Sequence, residues 1–449
     1  MQENKSTGMI SDEIKDMREG KAAEEDTCPM TENVAEKNRK KVLQLPPKAR
    51  RFCAFLVGVV FFLSGVLKLM DPVGTGLIMD EYYKFFHAGF LSFSAKTAGI
   101  VLAFVETMSG VALITGVWRR FTAYVVSCFL GGFTLLTILL LIFNPEMDCG
   151  CFGEAIHLTH FQSFLKNVVL CLLTFAAFWP FKSFGRNKRR KYVSFSLVSV
   201  AVLALMLYSI LYNPLVDFTD FRPGIRLSAA DVHGGSADDI YDAVFVYEKD
   251  GVQDRFSLEE LPDSTWTYVR TETVTKAGAQ EDLMPMLSFS DRSGQYQDRL
   301  ATEGSVLCVT IYQPAKVSPE KWQRLSVFVE DAITTGFRPI ILVPATPDMM
   351  DSILSEAGVD ANSMLRFDEI MYFADFKTVI SVNRSNCGIT YFHRGYLVKK
   401  WPYSSIPDYA DLAELASGDA TETLLVSDTA GNLTFQGFLL YSFAVMLLL

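Results

Sequence analysis

The 449-residue chain is half hydrophobic, with 20% charged residues, a mean hydropathy of +0.21 and a formal net charge of −10. Such a chain is too apolar for an ordinary soluble protein of its size, so a membrane protein is the first expectation. The negative balance and the lack of a basic stripe interleaved with aromatics argue against nucleic acid as a partner. Eight cysteines are too sparse for a disulfide scaffold.

Residues 1–50 are polar and highly charged, without the apolar core and small-residue cleavage site of a secretory signal, and read as a disordered cytoplasmic tail. Crossing roughly 30 Å of hydrocarbon takes about 20 apolar residues. Five charge-poor runs meet that length, at 52–70, 97–117, 121–143, 163–180 and 193–212. A sixth run, 433–449, is short and ends with the chain; it reads as a span or as a tail lying on the membrane surface. The lipid bilayer is therefore the first partner expected.

Sidedness follows from lysines and arginines next to the spans. Lys37, Arg39, Lys40, Lys41, Lys48, Arg50 and Arg51 precede the first, Arg119 and Arg120 separate the second and third, and Lys182, Arg186, Lys188, Arg189, Arg190 and Lys191 separate the fourth and fifth. If the spans alternate, all three clusters fall on one side. The N-terminus is then cytoplasmic, and the 71–96 loop, the loop between the third and fourth spans and the 213–430 segment are exported. Short connections in 51–181 predict a four-helix membrane bundle. Gly58, Gly65, Gly110 and Gly116 would let its helices approach closely. Residues 182–212, a basic loop and the fifth span, tether the exported half.

Within that half, 213–282 reads as a linker and a small β unit, with Asp250-Gly251 as a hairpin signal. Residues 283–410 alternate strand (306–312), helix (319–335), strand (339–343), helix (347–357) and a short strand near 369–373. A hairpin around Arg394-Gly395 follows, giving an α/β arrangement with a mixed sheet. Residues 411–432 are a linker to the terminal 433–449 segment.

The candidate chemistry centres on "NPEMDCGCFGEAIHLTHFQ", residues 144–162. Cys149 and Cys151 are separated by one glycine in a polar loop on the exported side. A disulfide between them would close a small ring, and strain makes such a bond easy to reduce, which suits transfer of oxidising equivalents. A structural bridge to another cysteine, a pair of buried thiols, and a zinc site completed by His157 and His160 remain alternatives, although that spacing is unusual for zinc and no metal is expected. Asp148 and Glu154 flank the thiols as proton relays or as a solvated loop edge. Glu106 lies near the middle of the second span, where an ionisable group is costly and marks either function or a specific partner such as Lys68. Asp71, Pro72, Gly74 and Thr75 read as a turn. Cys53, Cys128 and Cys171 read as packing residues.

Three segments in order, "FFLSGVLKLMDPVGT" (61–75), "FVETMSGVALITGVWRR" (104–120) and "DCGCFGEAIHLTHFQSFLKN" (148–167), resemble the DoxX-like and MauE-like redox-associated membrane proteins over residues 50–212. By strand order, 283–405 resembles a thioredoxin fold. Together these imply a membrane bundle fused to an exported thioredoxin-like domain in the bacterial inner membrane. They also imply disulfide exchange through Cys149 and Cys151 with an exported thiol or disulfide protein, and a membrane quinone as electron acceptor, with Glu106 as its candidate binding residue.

One departure matters. "TIYQPAKVSPEKW" (310–322) carries no C-x-x-C, and Cys387 in "SNCGITYF" stands where the thioredoxin fold has a cis-proline. The thioredoxin-like domain then holds or docks substrates, with Cys387 as a possible auxiliary thiol that otherwise pairs with Cys308 or is buried. The competing expectation is a noncatalytic scaffold recruiting envelope proteins through this domain. A transporter fits poorly, since intramembrane charge is limited and inverted repeats are not evident.

Overall fold

The computed structural model describes residues 46–145, 147, 149–179, 189–227, 241–249, 252–257, 261–263, 265–275 and 285–448. Cys28, Asp148, Asp250-Gly251 and most of the expected tail lie outside them. Among these residues, six helices are long and apolar enough to cross a membrane.

Helix α1 (Pro47–Met70) leads into α2 (Pro72–Phe85), followed by a 3-10 turn and α3 (Ala95–Thr115), then α4 (Arg119–Phe143), strand β1 (Cys151–Glu154), α5 (His160–Phe178) and α6 (Arg189–Leu211). The expected turn at 71–75 is in fact the start of α2. Asp71 caps it, accepting from the Gly74 N–H at 2.9 Å, with Pro72 at the first helical position.

α1 packs against α3 and α5, and α4 against α5. The α1–α3 approach depends on missing side chains: a Cβ on Gly65 would collide with Thr107, and one on Gly110 with the Phe62 backbone. Gly116 differs from the expectation. It ends α3 in the left-handed conformation at φ 77°, its N–H bonded to Ala112 O. At this end of the bundle Arg50 Nε donates to Ala177 O at 3.0 Å, and the Arg51 guanidinium donates to Leu113 O and Ile114 O.

Strands β2 (Tyr241–Lys249), β3 (Val252–Ser257) and β4 (Thr267–Thr275) form an antiparallel sheet in the order β3-β2-β4. The C-terminal α/β region contains β5 (Ser305–Thr310), α7 (Pro319–Thr334), β6 (Arg338–Val343), α8 (Pro347–Glu356), α9 (Ala361–Ile370), β7 (Met371–Phe373), α10 (Phe376–Val382), β8 (Gly388–His393), β9 (Tyr396–Trp401) and α11 (Tyr409–Ser417). Its sheet order is β7-β6-β5-β8-β9, with β5, β6 and β7 parallel and β8 antiparallel to β5 and β9. The expected α/β alternation is present, with α9 and α10 added around a strand three residues long.

Alternate residues of β5 face opposite layers: Leu307 and Val309 meet Trp322, Leu325 and Phe328 of α7, while Val306 and Cys308 meet Val379 and Val382 of α10. Arg394 and Gly395, at φ 49° and 80°, make the tight turn between β8 and β9.

Helix α12 (Ala420–Leu448) has 29 residues and begins ahead of the apolar run at 433, because Thr421, Glu422 and Ser427 interrupt the hydropathy of its first turns. Phe438, Phe443 and Met446 of α12 pack with Phe62 of α1 and Val198 and Val202 of α6. The Lys400–Asp217 ion pair, buried at 2.5 Å, fastens β9 to the segment after α6.

Candidate functional site

The thiol loop lies at the end of the bundle opposite Arg50 and Arg51. Asn144, at φ 41°, terminates α4 and turns the chain. Gly150 takes φ 56°, and a Cβ there would meet Ile78 Cγ2 at 2.5 Å, so the loop lies directly on α2. Tyr82 of α2 donates its hydroxyl to Cys149 O at 2.5 Å.

Thr159 and Gln162 form a capping box that starts α5 and turns His160 towards the loop. His160 Nδ1 is 2.8 Å from Cys149 Sγ, and Nε2 is 3.1 Å from Pro145 O. A carbonyl oxygen only accepts, so Nε2 carries a proton, and in the neutral ring the Nδ1 lone pair faces the thiol. This geometry lets the imidazole take the Cys149 proton, the arrangement of an activated thiol nucleophile. Cys149 is buried and Cys151 half-buried. Reading His160 only as a zinc ligand missed this pairing; the T-x-x-Q capping box was the available signal. Among the described residues no group of three or more His, Cys, Asp or Glu is placed to hold a metal ion.

Behind the thiols, Lys68 Nζ is 2.8 Å from Glu106 Oε2, both side chains buried. Ser64 Oγ is 2.7 Å from Glu106 Oε1 and 2.6 Å from Cys151 O. The intramembrane charge is thus paired, and Ser64 connects it to the thiol loop. Lys68, Glu106, Lys166, Cys149 and Cys151 share one cavity of about 60 Å³, walled by Ile78, Leu102, Phe133 and Leu136. The cavity has room for water.

The α/β region is docked at this same end. Arg384, in the loop before β8, puts Nε 3.0 Å from Asp71 Oδ2 and Nη2 3.5 Å from Glu154 Oε1. Neither nitrogen is aligned for a hydrogen bond, so the contact is ionic. Burial opposes the charge, but Asp71, Glu154 and Asp217 outweigh it and hold the guanidinium above its ordinary value. A Cβ on Gly74 would strike Asp71 Oδ2 and Glu154 Cγ, so this junction needs glycine. Lys377 adds a half-exposed contact to Glu81 at 3.5 Å. Glu154 therefore belongs to an ion-pair network and is not a solvated loop edge.

Cys387 does not join the thiol pair. It is fully buried at φ 66°, and burial pushes its thiol up to about 12. Cys308, whose thiol burial also raises, lies in the opposite layer of the sheet, so the two are not partners. In the 310–322 stretch, Tyr312 donates to Arg384 O at 3.3 Å, and burial pushes its hydroxyl up to about 12.

No solved structure matches the chain. A curated relative, Protein TlpB of Flavobacterium psychrophilum, is 24% identical over 170 residues, which are 36% of this chain and 45% of that protein, so the match spans less than half the relative's length. Residues 241–277, the β2–β4 sheet, match a domain of unknown function (DUF8463). Residues 46–180, from α1 to the end of α5 and including both thiols, match the family model of the methylamine utilisation protein MauE.

Proposed function

We propose that the protein is a membrane thiol–disulfide oxidoreductase, in which Cys149 and Cys151 exchange disulfides with an exported protein. The observation that carries this reading is Cys149 Sγ lying 2.8 Å from His160 Nδ1 while Pro145 O fixes the tautomer. The MauE match over the thiol-bearing bundle and the resemblance to TlpB support a redox association, as do the DoxX-like segments.

Exchange needs no added oxidant. A thiolate of the partner attacks the exposed sulfur of a Cys149–Cys151 disulfide, forming a mixed disulfide at Cys151. Cys149 leaves as thiolate and takes a proton from the His160 imidazolium. The partner's second thiolate then attacks its own mixed-disulfide sulfur, releasing Cys151 as thiolate and the partner as disulfide.

The thiol loop faces the exported side of a bacterial inner membrane, a reading supported by Arg50, Arg51 and Arg119 at the opposite end of the bundle. The α/β region is thioredoxin-like by its β6-β5-β8-β9 order and acts in docking, since residues 310–322 hold no cysteine.

Trapping the thiols of membranes under reducing and oxidising conditions, with Cys149→Ser and Cys151→Ser as controls, tests the proposal. Two thiols should change state together, and each serine variant should abolish the change. A pair that never cycles leaves the scaffold reading.

A further inference from the structure

Four helix ends meet at the end of the bundle away from the thiols: α1 begins at Pro47, α3 ends at Thr115, α4 begins at Arg119 and α5 ends at Phe178. Between them lies a cavity of about 110 Å³, lined by Arg50, Arg51 and Arg119 and walled on its apolar side by Ala54, Leu113 and Phe178. These are the ends of four helices long enough to cross a membrane, so the cavity falls at the depth of lipid headgroups.

The charge around it is not balanced. Arg51 donates from Nη1 to Leu113 O at 3.1 Å and from Nη2 to Ile114 O, and Arg119 donates from Nε to Gly116 O at 3.3 Å. All three acceptors are carbonyls at the end of α3. Among the described residues no carboxylate pairs with either guanidinium. Arg119 instead acts on Arg51 as a like charge. A helix C-terminus offers about half a negative charge and a helix N-terminus about half a positive one. The ends of α3 and α4 therefore cancel, and the charges of Arg51 and Arg119 stay uncompensated. Arg50, the third cation on the cavity, donates through Nε to Ala177 O at 3.0 Å.

Donors remain for a ligand. A guanidinium carries five N–H groups; Arg51 spends two and Arg119 one, so each keeps at least three. A Cβ on Gly116 would meet Arg51 Nη1 at 2.5 Å, so glycine lets that guanidinium lie against the end of α3. Planar forks of this kind match phosphate oxygens, and basic pockets between membrane helices hold anionic headgroups. We propose that this cavity binds the phosphodiester of an anionic lipid, with Arg51 and Arg119 donating to its oxygens and Ala54, Leu113 and Phe178 lying against its glycerol and first methylenes. A free phosphate shares the headgroup's charge but makes no use of the apolar wall.

Native mass spectrometry of the full-length protein tests this, with phosphatidylglycerol, phosphatidylcholine of the same chains, and inorganic phosphate added in separate titrations. One phosphatidylglycerol should be retained about tenfold more tightly than phosphatidylcholine. Arg119→Gln should lose that preference and Arg119→Lys should keep part of it. Arg120→Gln alters the neighbouring exposed residue, outside the cavity lining, and should keep it whole. Ala54→Leu fills the cavity with every charge in place and should also lose the preference, which guards against a folding defect in Arg119→Gln. Equal retention of both lipids, a preference that Arg120→Gln lowers as much as Arg119→Gln, or one that survives Ala54→Leu overturns the proposal. Inorganic phosphate retained through Arg119 with no lipid adduct assigns the cavity to a soluble phosphate and overturns the lipid assignment.

Discussion

Arg384 of the α/β region lies 3.0 Å from Asp71, the residue that ends α1 and caps α2. The same guanidinium reaches Glu154, three residues beyond Cys151. One buried cation thus ties the docked region to the helix under the thiol loop and to the strand that follows it. Removing one partner of a buried ion pair costs about 3–5 kcal/mol, because the remaining charge is left uncompensated.

Arg384→Ala should therefore undock the α/β region and raise the reactivity of Cys151 towards an impermeant thiol reagent. Arg384→Lys should do so less. The guanidinium value is raised in the folded protein, so its contribution is complete below the ordinary arginine value and is lost only as pH rises through the raised one. Docking followed by limited proteolysis should be flat across the accessible pH range as far as this group is concerned. Unchanged Cys151 labelling in Arg384→Ala would count against the coupling.

His160→Ala should slow exchange of the reduced protein with a small aromatic disulfide by about 10²–10⁴-fold, the usual contribution of a positioned general base. Stopped-flow detection of the released thiol measures it. A loss below tenfold would remove the imidazole from the mechanism.

Gly150→Ala should destabilise the loop by about 1–2 kcal/mol for its left-handed φ alone, with a further steric cost from Ile78. Adding Ile78→Ala should relieve the steric part and leave the backbone part. Thermal unfolding of the three variants separates the two, and full rescue by the double variant would contradict the backbone argument.

Cys387 should resist alkylation at pH 8 in the native protein and react on denaturation. Its thiol is pushed up to about 12, so the neutral form is favoured on folding. That stability is present below the ordinary thiol range and declines as pH rises from there towards 12. Native-state labelling at the rate of an exposed thiol would show that the α/β core opens and would restore Cys387 as an auxiliary thiol.

The spans, the clustering of arginines at one end and the α/β alternation were legible in the sequence because hydropathy, charge and periodicity are local properties. So was the thiol pair, two residues apart in one polar loop. Helix α2 was equally local, since Asp71-Pro72 is a capping signal, but it read as a turn. The rarity of intramembrane charge marked Glu106 for either function or a specific partner such as Lys68, and the structure places Lys68 Nζ 2.8 Å from its carboxylate.

Tertiary structure decided which groups serve the thiols. His160 reaches Cys149 across 11 positions, Ser64 reaches Cys151 O across 87, and Arg384 meets Asp71 from the other half of the chain. No periodicity records such distances, because they depend on how α1, α3, α5 and the loop before β8 converge. The same convergence buried Cys387 in a core layer and turned Glu154 from a loop-edge charge into an ion-pair partner. The sequence determined that two thiols stand at one end of a membrane bundle; packing determined which proton acceptors face them, because only packing brings those side chains within hydrogen-bond reach.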